Sequence, residues 1–478
     1  MKGTKSISDP TRQQDSVVRF RTVDGATFHG TLSRLTHYQV VFEVFDPTVP
    51  LRHSEVLGGC EIILQGQTAY SGKATITKLV HTGATIIVEA GLEDCWQDLS
   101  SLGEIRGEQL RERFAQFIGE WQKLYRIDND YKVKIADIQT YLEDLRLWLE
   151  QLDCQIGSVP KERRGEVETE ILNEIAPQIV ELLDGLFDRF EEVSNRVPPE
   201  FLQAHHVYAR RQLHKLTLSS PFASRTFFKP LGYAGDYEMV NMIARNTCGG
   251  SSLFAKALDT WFLKQPPAEA HRNRIQFLFE KLRAESIRHA AGGQRCRVYN
   301  LGCGPAWEIQ EYVRTIPVRM DVEFTLVDFN DETLQRVNAV LSGLKAQYGG
   351  TAMFHFEKKS VNQLLKEAIR GTDGGGPAYE LVYCAGLFDY FPDAICHQVL
   401  NVLYSKVVPG GMLLATNIDK CNPRRQGMQA ILDWHLVYRD SRQMNAIKPS
   451  TADPDFTEVI GDMSGVNIYL EIRKPNFK

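Results

Sequence analysis

No two of the nine cysteines in this chain stand in a CxxC pair; they are scattered at Cys60, Cys95, Cys154, Cys248, Cys296, Cys303, Cys384, Cys396 and Cys421, and their number is odd. That usage argues for reduced thiols and against a disulfide framework or a structural zinc site, so no metal is expected. Long apolar runs are missing too: none approaches the roughly 20 residues that a membrane span needs. The first residues, MKGTKSISDPTRQQDS, are polar and have no apolar core, so they read as a disordered tail over 1–16, neither signal peptide nor anchor. The expectation is a cytoplasmic protein with no stable membrane insertion. An excess of one charge is also absent, the formal balance being −5, which leaves no global field to attract nucleic acid or an anionic surface. No heptad is sustained over four repeats, which excludes a long coiled coil.

What remains is an ordinary globular composition, 43% hydrophobic and 24% charged over 478 residues. Single cores stop growing at roughly 250–300 residues, so several domains are expected. Residues 17–98 read as short strands (VVRFRTV, ATFHGTLSRL, YQVVFEVF, CEIILQG, TAYSGKATITKLV, ATIIVEAGL) separated by DG, DP, GG and TG turns, the pattern of a small β barrel. Residues 99–217 change to helical spacing in GEQLRERFAQFIGEWQKLYRI, VKIADIQTYLEDLRLWLEQL and VETEILNEIAPQIVELLDGLFDRFEEVSNRV, a helical bundle that could pair two copies as a homodimer. Residues 218–293 hold the aromatic and glycine-rich string PFASRTFFKPLGYAGDYEMVNMI followed by helices, a lid and connector.

From 294 to 478 the chain reads as an α/β Rossmann-like domain. In RCRVYNLGCGPAWEIQEYVR an apolar strand runs into Gly302, Cys303, Gly304 and Pro305 and then a helix. Glycine at such a turn lets the backbone approach a ligand closely, although the same spacing also serves a plain tight turn. VEFTLVDFNDETLQRVN follows with a strand ending in Asp328, then Phe329 and Asn330. A carboxylate at that tip can accept hydrogen bonds from both hydroxyls of a ribose; its alternative is a helix cap. YELVYCAGLFDYF then places Cys384, Gly386, Phe388, Asp389 and Tyr390 after a third strand, and a PGG turn precedes the next.

Strand, glycine turn, acidic tip and PGG turn together resemble the class I S-adenosylmethionine-dependent methyltransferases over 294–478. The departures are Asn300 where an acidic residue is usual, and Ala306 at the third glycine position, so that Glu308 or Asp389 would supply the missing charge. GYAGDYEM (232–239), NLGCGPAWE (300–308), CAGLFDYF (384–391) and LDWHLVYRD (432–440) are together similar to bacterial 3-hydroxypalmitic acid methyl ester biosynthesis proteins. The N-terminal strands resemble a divergent PilZ-type barrel, but no D/NxSxxG strand follows Arg19 and Arg21, which disfavours cyclic diguanylate as a ligand.

These resemblances imply an O-methyltransferase acting on a small acceptor, a carboxylic acid such as a hydroxy fatty acid, and regulated by the barrel. The cofactor would be S-adenosylmethionine, held by Asn300, Gly302, Cys303, Gly304, Pro305, Asp328, Phe329, Asn330, Ser360, Val361, Cys384, Gly386 and Phe388. A carboxylate acceptor is already ionised, whereas a hydroxyl would need a base. His435, in a segment read as an amphipathic helix, and Tyr233 are the catalytic candidates. Arg225, Tyr237, Arg274, Asp389, Tyr390 and Tyr438 are the acceptor-binding candidates, with Lys229 and Arg439 as further cations. The competing reading is a signalling or scaffold protein whose Rossmann domain is a non-catalytic ligand sensor.

Overall fold

The computed structural model describes residues 16–93 and 127–476 apart from 37, 47–48, 50, 65–66, 83–84, 317–320, 350 and 372–377, together with a few isolated positions between 111 and 119. The helical string read at 107–127 therefore lies almost wholly outside the described residues. The chain forms two compact units, the first containing the N-terminal strands and the second residues 121–478 together with Arg52–Ser54.

In the first unit six antiparallel strands, β1 (Val17–Arg21), β2 (Thr27–Leu35), β3 (Gln39–Val44), β4 (Val56–Leu64), β5 (Gln67–His81) and β6 (Ile86–Leu92), close into a barrel in the order β1-β2-β3-β6-β5-β4. Closure leaves no strand edge unpaired, because β1 bonds to both β2 and β4. Burial alternates strictly along β6, as a strand with one face inward requires. The inward residues, among them Val18, Phe20, Phe42, Ile62, Tyr70 and Val88, form the barrel's own core.

The second unit begins with helices α1 (Asn129–Ile156), α2 (Lys161–Ser194) and α3 (Pro199–Thr217). The aromatic string after them folds as two short helices, α4 (Pro221–Phe228) and α5 (Tyr237–Arg245), and α6 (Leu253–Lys264) and α7 (Pro266–Ala291) complete the helical part. Ser220 caps α4 by accepting from Ala223 N–H, and Asp236 caps α5 by accepting from Glu238 and Met239 N–H. Such caps satisfy amides that a helix start leaves unbonded.

A seven-stranded sheet follows: β7 (Cys296–Leu301), β8 (Val322–Asp328), β9 (Met353–Lys358), β10 (Tyr379–Cys384), β11 (Val407–Ile418), β12 (Thr457–Gly461) and β13 (Asn467–Arg473), in the order β12-β13-β11-β10-β7-β8-β9. The interleaved helices are α8 (Trp307–Thr315), α9 (Asp331–Tyr348), α10 (Val361–Arg370), α11 (Asp393–Lys406), α12 (Arg425–Leu432) and α13 (Ser441–Ala446). β9, β8, β7, β10 and β11 run parallel, while β13 and β12 are antiparallel additions. Strands covered on both faces must be apolar nearly throughout. Val298, Phe324, Leu381 and Leu414 accordingly join one core, whereas Tyr299, Val327, Val382 and Leu413 join the core on the other face. Strand order reverses between β7 and β10, and a crevice opens at the carboxyl ends there because the connections leave toward opposite faces.

The barrel residues form a core cluster of their own, which yields a test. Phe42→Ala removes a fully buried ring that lies 5.2 Å from Phe20, a loss of about 3–5 kcal/mol. Calorimetric unfolding of the full chain should lower one transition and leave the transition of the larger unit where it was.

Candidate functional site

The cavity at this reversal has a volume of about 150 Å³. Its floor is the turn after β7. Gly302 and Cys303 both donate to Val327 O, at 2.8 and 3.1 Å, and Gly304 N–H donates to Asp328 Oδ2 at 3.2 Å. Gly302 and Gly304 have φ of +71° and +51°, conformations in which a Cβ is strained. Ala306 also stands in the left-handed region, at φ +50°, so the residue found at the third glycine position occupies a conformation glycine would favour. The Cys303 side chain turns into the sheet core.

Asp328 completes this end. Its Oδ1 accepts Asn330 N–H at 3.0 Å; burial raises its carboxyl above the usual range, against the pull of those amides. One wall is aromatic: Phe329 and Tyr233 lie 5.1 Å apart, and the Arg52 guanidinium sits 4.3 Å from the Phe329 ring centre. Helix α5 is tied across this wall by Tyr237 OH to Glu332 (2.8 Å) and by Trp307 Nε1 to Asn241 (2.8 Å).

Toward β10 the walls are polar. Asn300 donates to Glu308 at 3.2 Å and to the Tyr383 hydroxyl at 3.0 Å, and that hydroxyl donates to Glu308 at 2.7 Å. Burial raises the Glu308 carboxyl. Asp389 accepts Ile418 N–H at 2.7 Å, and burial, opposed by Arg274, pushes its carboxyl up to about 6. Arg274, His271, Tyr390, Trp434, Leu436 and Asn467 line the same end.

Of the residues expected from the sequence, the cavity brings together Asn300, Gly302, Cys303, Gly304, Pro305, Asp328, Phe329, Gly386, Tyr233, Tyr237, Arg274, Asp389 and Tyr390. It does not bring in the others. Asn330 and Ser360 are the caps of α9 and α10, and Val361, Cys384 and Phe388 are packed in the core beneath the sheet. Arg225 is paired with Asp236 at 2.9 Å, and Tyr438 lies under Arg425, 4.8 Å from its guanidinium. Arg439 holds the carbonyls of Phe388 and Phe391 and the amide of Asn417, which fixes the turn that carries Asp389. Among the described residues no cluster of three or more His, Cys, Asp or Glu could hold a metal.

His435 corrects a sequence expectation. The segment 433–438 is not helical, because Asp433 takes φ +50° and ends α12 at Leu432. His435 is buried outside the cavity lining, with Nε2 3.1 Å from Asp433 Oδ1; burial outweighs that contact and lowers its pKa. Asp433 also takes Arg210 at 2.7 Å and Lys229 at 3.2 Å. Sequence reading missed His271, Trp434, Leu436 and Asn467. His271 could have been found from its position three residues before Arg274, on one helix face; Asn467 comes from β13, and no local spacing connects it to the glycine turn.

No protein-family model matches the chain, and no curated protein sequence matches it. Solved structures give distant likenesses. One, a possible exported protein from Bordetella parapertussis, is 17% identical with a TM-score of 0.42, over 66% of this chain and 99% of that one. An O-methyltransferase family protein from Burkholderia thailandensis is 13% identical with a TM-score of 0.34, over 59% and 75% of the two chains. Magnesium protoporphyrin IX methyltransferase from Synechocystis, with bound SAH, is 11% identical with a TM-score of 0.34, over 52% and 97%.

The Asp433 cluster yields a stability prediction. Burial alone would raise its carboxyl, but Arg210, Lys229 and His435 outweigh burial and hold it well below the usual range. Asp433→Asn leaves buried Lys229 and half-buried Arg210 without their anion and should cost about 3–5 kcal/mol at neutral pH. A carboxyl whose folded pKa is depressed stabilises above its unfolded value of about 4 and loses that contribution as pH falls through the folded value. Denaturant titrations of the two proteins should therefore differ in full above about pH 4 and converge only as pH falls well below it, through the depressed folded value.

Proposed function

We propose that the second unit is an S-adenosylmethionine-dependent O-methyltransferase. The observation that carries this reading is the hydrogen bond from Gly304 N–H to Asp328, which joins the glycine turn and the acidic strand tip into one wall of one cavity. Each Asp328 oxygen accepts one backbone amide, and a carboxylate oxygen retains capacity for a second donor. Two neighbouring ribose hydroxyls match that capacity, while the glycine turn admits the ligand's backbone-facing side without a Cβ in the way. When bound, S-adenosylmethionine supplies a methyl group already activated on a sulfonium.

The chain's own residues then have to align an acceptor and keep water out. Tyr233 and Tyr390 have phenols raised by burial, so they remain protonated, present aromatic faces to a cation and can donate hydrogen bonds. Trp434 and Leu436 close the apolar side. His435 lies outside this lining, and Asp389, whose carboxyl burial pushes up to about 6, is the group we assign as proton acceptor for a hydroxyl nucleophile. A carboxylic acid such as a hydroxy fatty acid needs no base and is the acceptor class we favour. Control by the β barrel, and a homodimer formed through the helices, belong to the same proposal.

Titration calorimetry with S-adenosylhomocysteine tests it. Wild-type protein should bind with one site per chain, and Asp328→Ala, which removes charge-assisted bonds worth about 1.5–3 kcal/mol, should weaken binding roughly 10- to 100-fold. An intact wild-type fold that does not bind would remove the proposal.

A further inference from the structure

Arg274 is a buried cation whose hydrogen bonds within the described residues are incomplete. Its side chain is 9% exposed and lines the cavity. Nη2 is the only one of its nitrogens to donate a hydrogen bond among the described residues, to the imidazole of His271, with Nδ1 at 2.9 Å. Nε and Nη1 donate none; the Asp389 carboxylate lies 3.9 Å from Nη1, beyond hydrogen-bond reach. By contrast Arg439, buried deeper still, spends its guanidinium on Phe388 O, Phe391 O, Asn417 and Asp393.

The surroundings keep this unused fork available. Burial, with Arg274 and Arg272 adding to it, holds His271 well below the ordinary histidine range, so its ring is neutral and offers a lone pair to Nη2. That contact orients the guanidinium without consuming its remaining donors. Opposite stands Gly386, where a Cβ would come within 2.8 Å of Nη1; a side chain there would take the space beside the fork. Asn467, in the same lining, gives its Nδ2 to Ala270 O at 2.8 Å and leaves its buried Oδ1 without a partner. Buried polar atoms in native proteins are nearly always paired, so the unpaired Asn467 Oδ1, in the same lining as guanidinium nitrogens that spend no hydrogen bond on the described residues, calls for a polar ligand.

We infer that Arg274, aimed by His271, is the carboxylate-binding group of this cavity, at the β10 end and separate from Asp328. His271 takes one Nη2 hydrogen, and the other pairs with Nη1 or with Nε along one edge of the planar guanidinium, the two-donor arrangement best suited to a carboxylate. The inference rests on the cofactor reading above, which supplies two sources of that chemistry: the amino-acid tail of the cofactor, or the acid group of the acceptor. Asp389 and Glu308, in the same lining, would then face the cationic or hydroxyl part of the same ligand.

Calorimetry on the full chain with three probes separates the sources: S-adenosylhomocysteine, 5′-methylthioadenosine, which has no amino-acid tail, and 3-hydroxytetradecanoate. If the cofactor supplies the carboxylate, Arg274→Gln weakens S-adenosylhomocysteine by about tenfold or more and leaves 5′-methylthioadenosine within about twofold. If the acceptor supplies it, only 3-hydroxytetradecanoate is weakened. Arg274→Lys keeps the charge and loses the fork, so it should show the same selective loss should the Gln variant fail to fold. His271→Leu should reproduce that selectivity, and His271→Asn, which restores an acceptor for Nη2, should recover most of the affinity. Equal weakening of every probe, or of none, overturns the inference. Wild-type protein that binds neither adenosine compound would instead sink the cofactor reading, and the 3-hydroxytetradecanoate arm alone would then decide the role of Arg274.

Discussion

The cavity depends on one short-range constraint: a backbone amide in the turn after β7 must meet the carboxylate that ends β8. The two strands are parallel neighbours in register from Cys296 opposite Val322 to Leu301 opposite Val327, so the turn and the strand tip emerge side by side. Glycine at 302 and 304 lets the chain bend there without a side chain filling the gap. The Gly304 to Asp328 bond then fixes the carboxylate. The other walls are arranged around that pair, with α5 tied across one side by Tyr237 and Trp307 and the turn of Asp389 held by Arg439 on the other.

Two kinds of buried charge coexist in this unit, and their difference is informative. Asp433 is surrounded by Arg210, Lys229 and His435, an assembly with its partners already in place that joins α3 and the 229 turn to the end of α12. Such a cluster specifies packing and costs heavily when broken. The Arg274 group is open: Asp389 stands in ion-pair range at 3.9 Å but accepts no hydrogen bond from it, and an amide oxygen in the same lining has no partner among the described residues. Closed charge clusters maintain a fold, whereas open ones beside a cavity are what a binding site looks like before its ligand arrives.

Much of this was legible in the sequence where chemistry and local period coincide. The six strands of the barrel showed in alternation and turn residues, and the glycine turn with Asp328 showed because both lie at strand ends, where apolar runs stop. Legibility failed where tertiary context decides. The family resemblance implies Ser360 as a cofactor residue, yet its hydroxyl takes part in the capping box with Gln363. DWHLVYR carries a helical pattern, but Asp433 adopts a left-handed conformation in which two cations can reach it. Asn467 reaches the cavity lining on an antiparallel strand from far along the chain, and spacing rules carry no information across such a distance.

The central claim is that the Gly302–Gly304 turn and Asp328 grip one adenosine-containing ligand. A crystal structure of the full chain with S-adenosylhomocysteine tests it most directly. The account predicts ribose hydroxyls on the Asp328 carboxylate and the thioether chain passing over the glycine turn toward Gly386. Clear density for the protein with that cavity filled by its own side chains, or the ligand bound elsewhere, would contradict it.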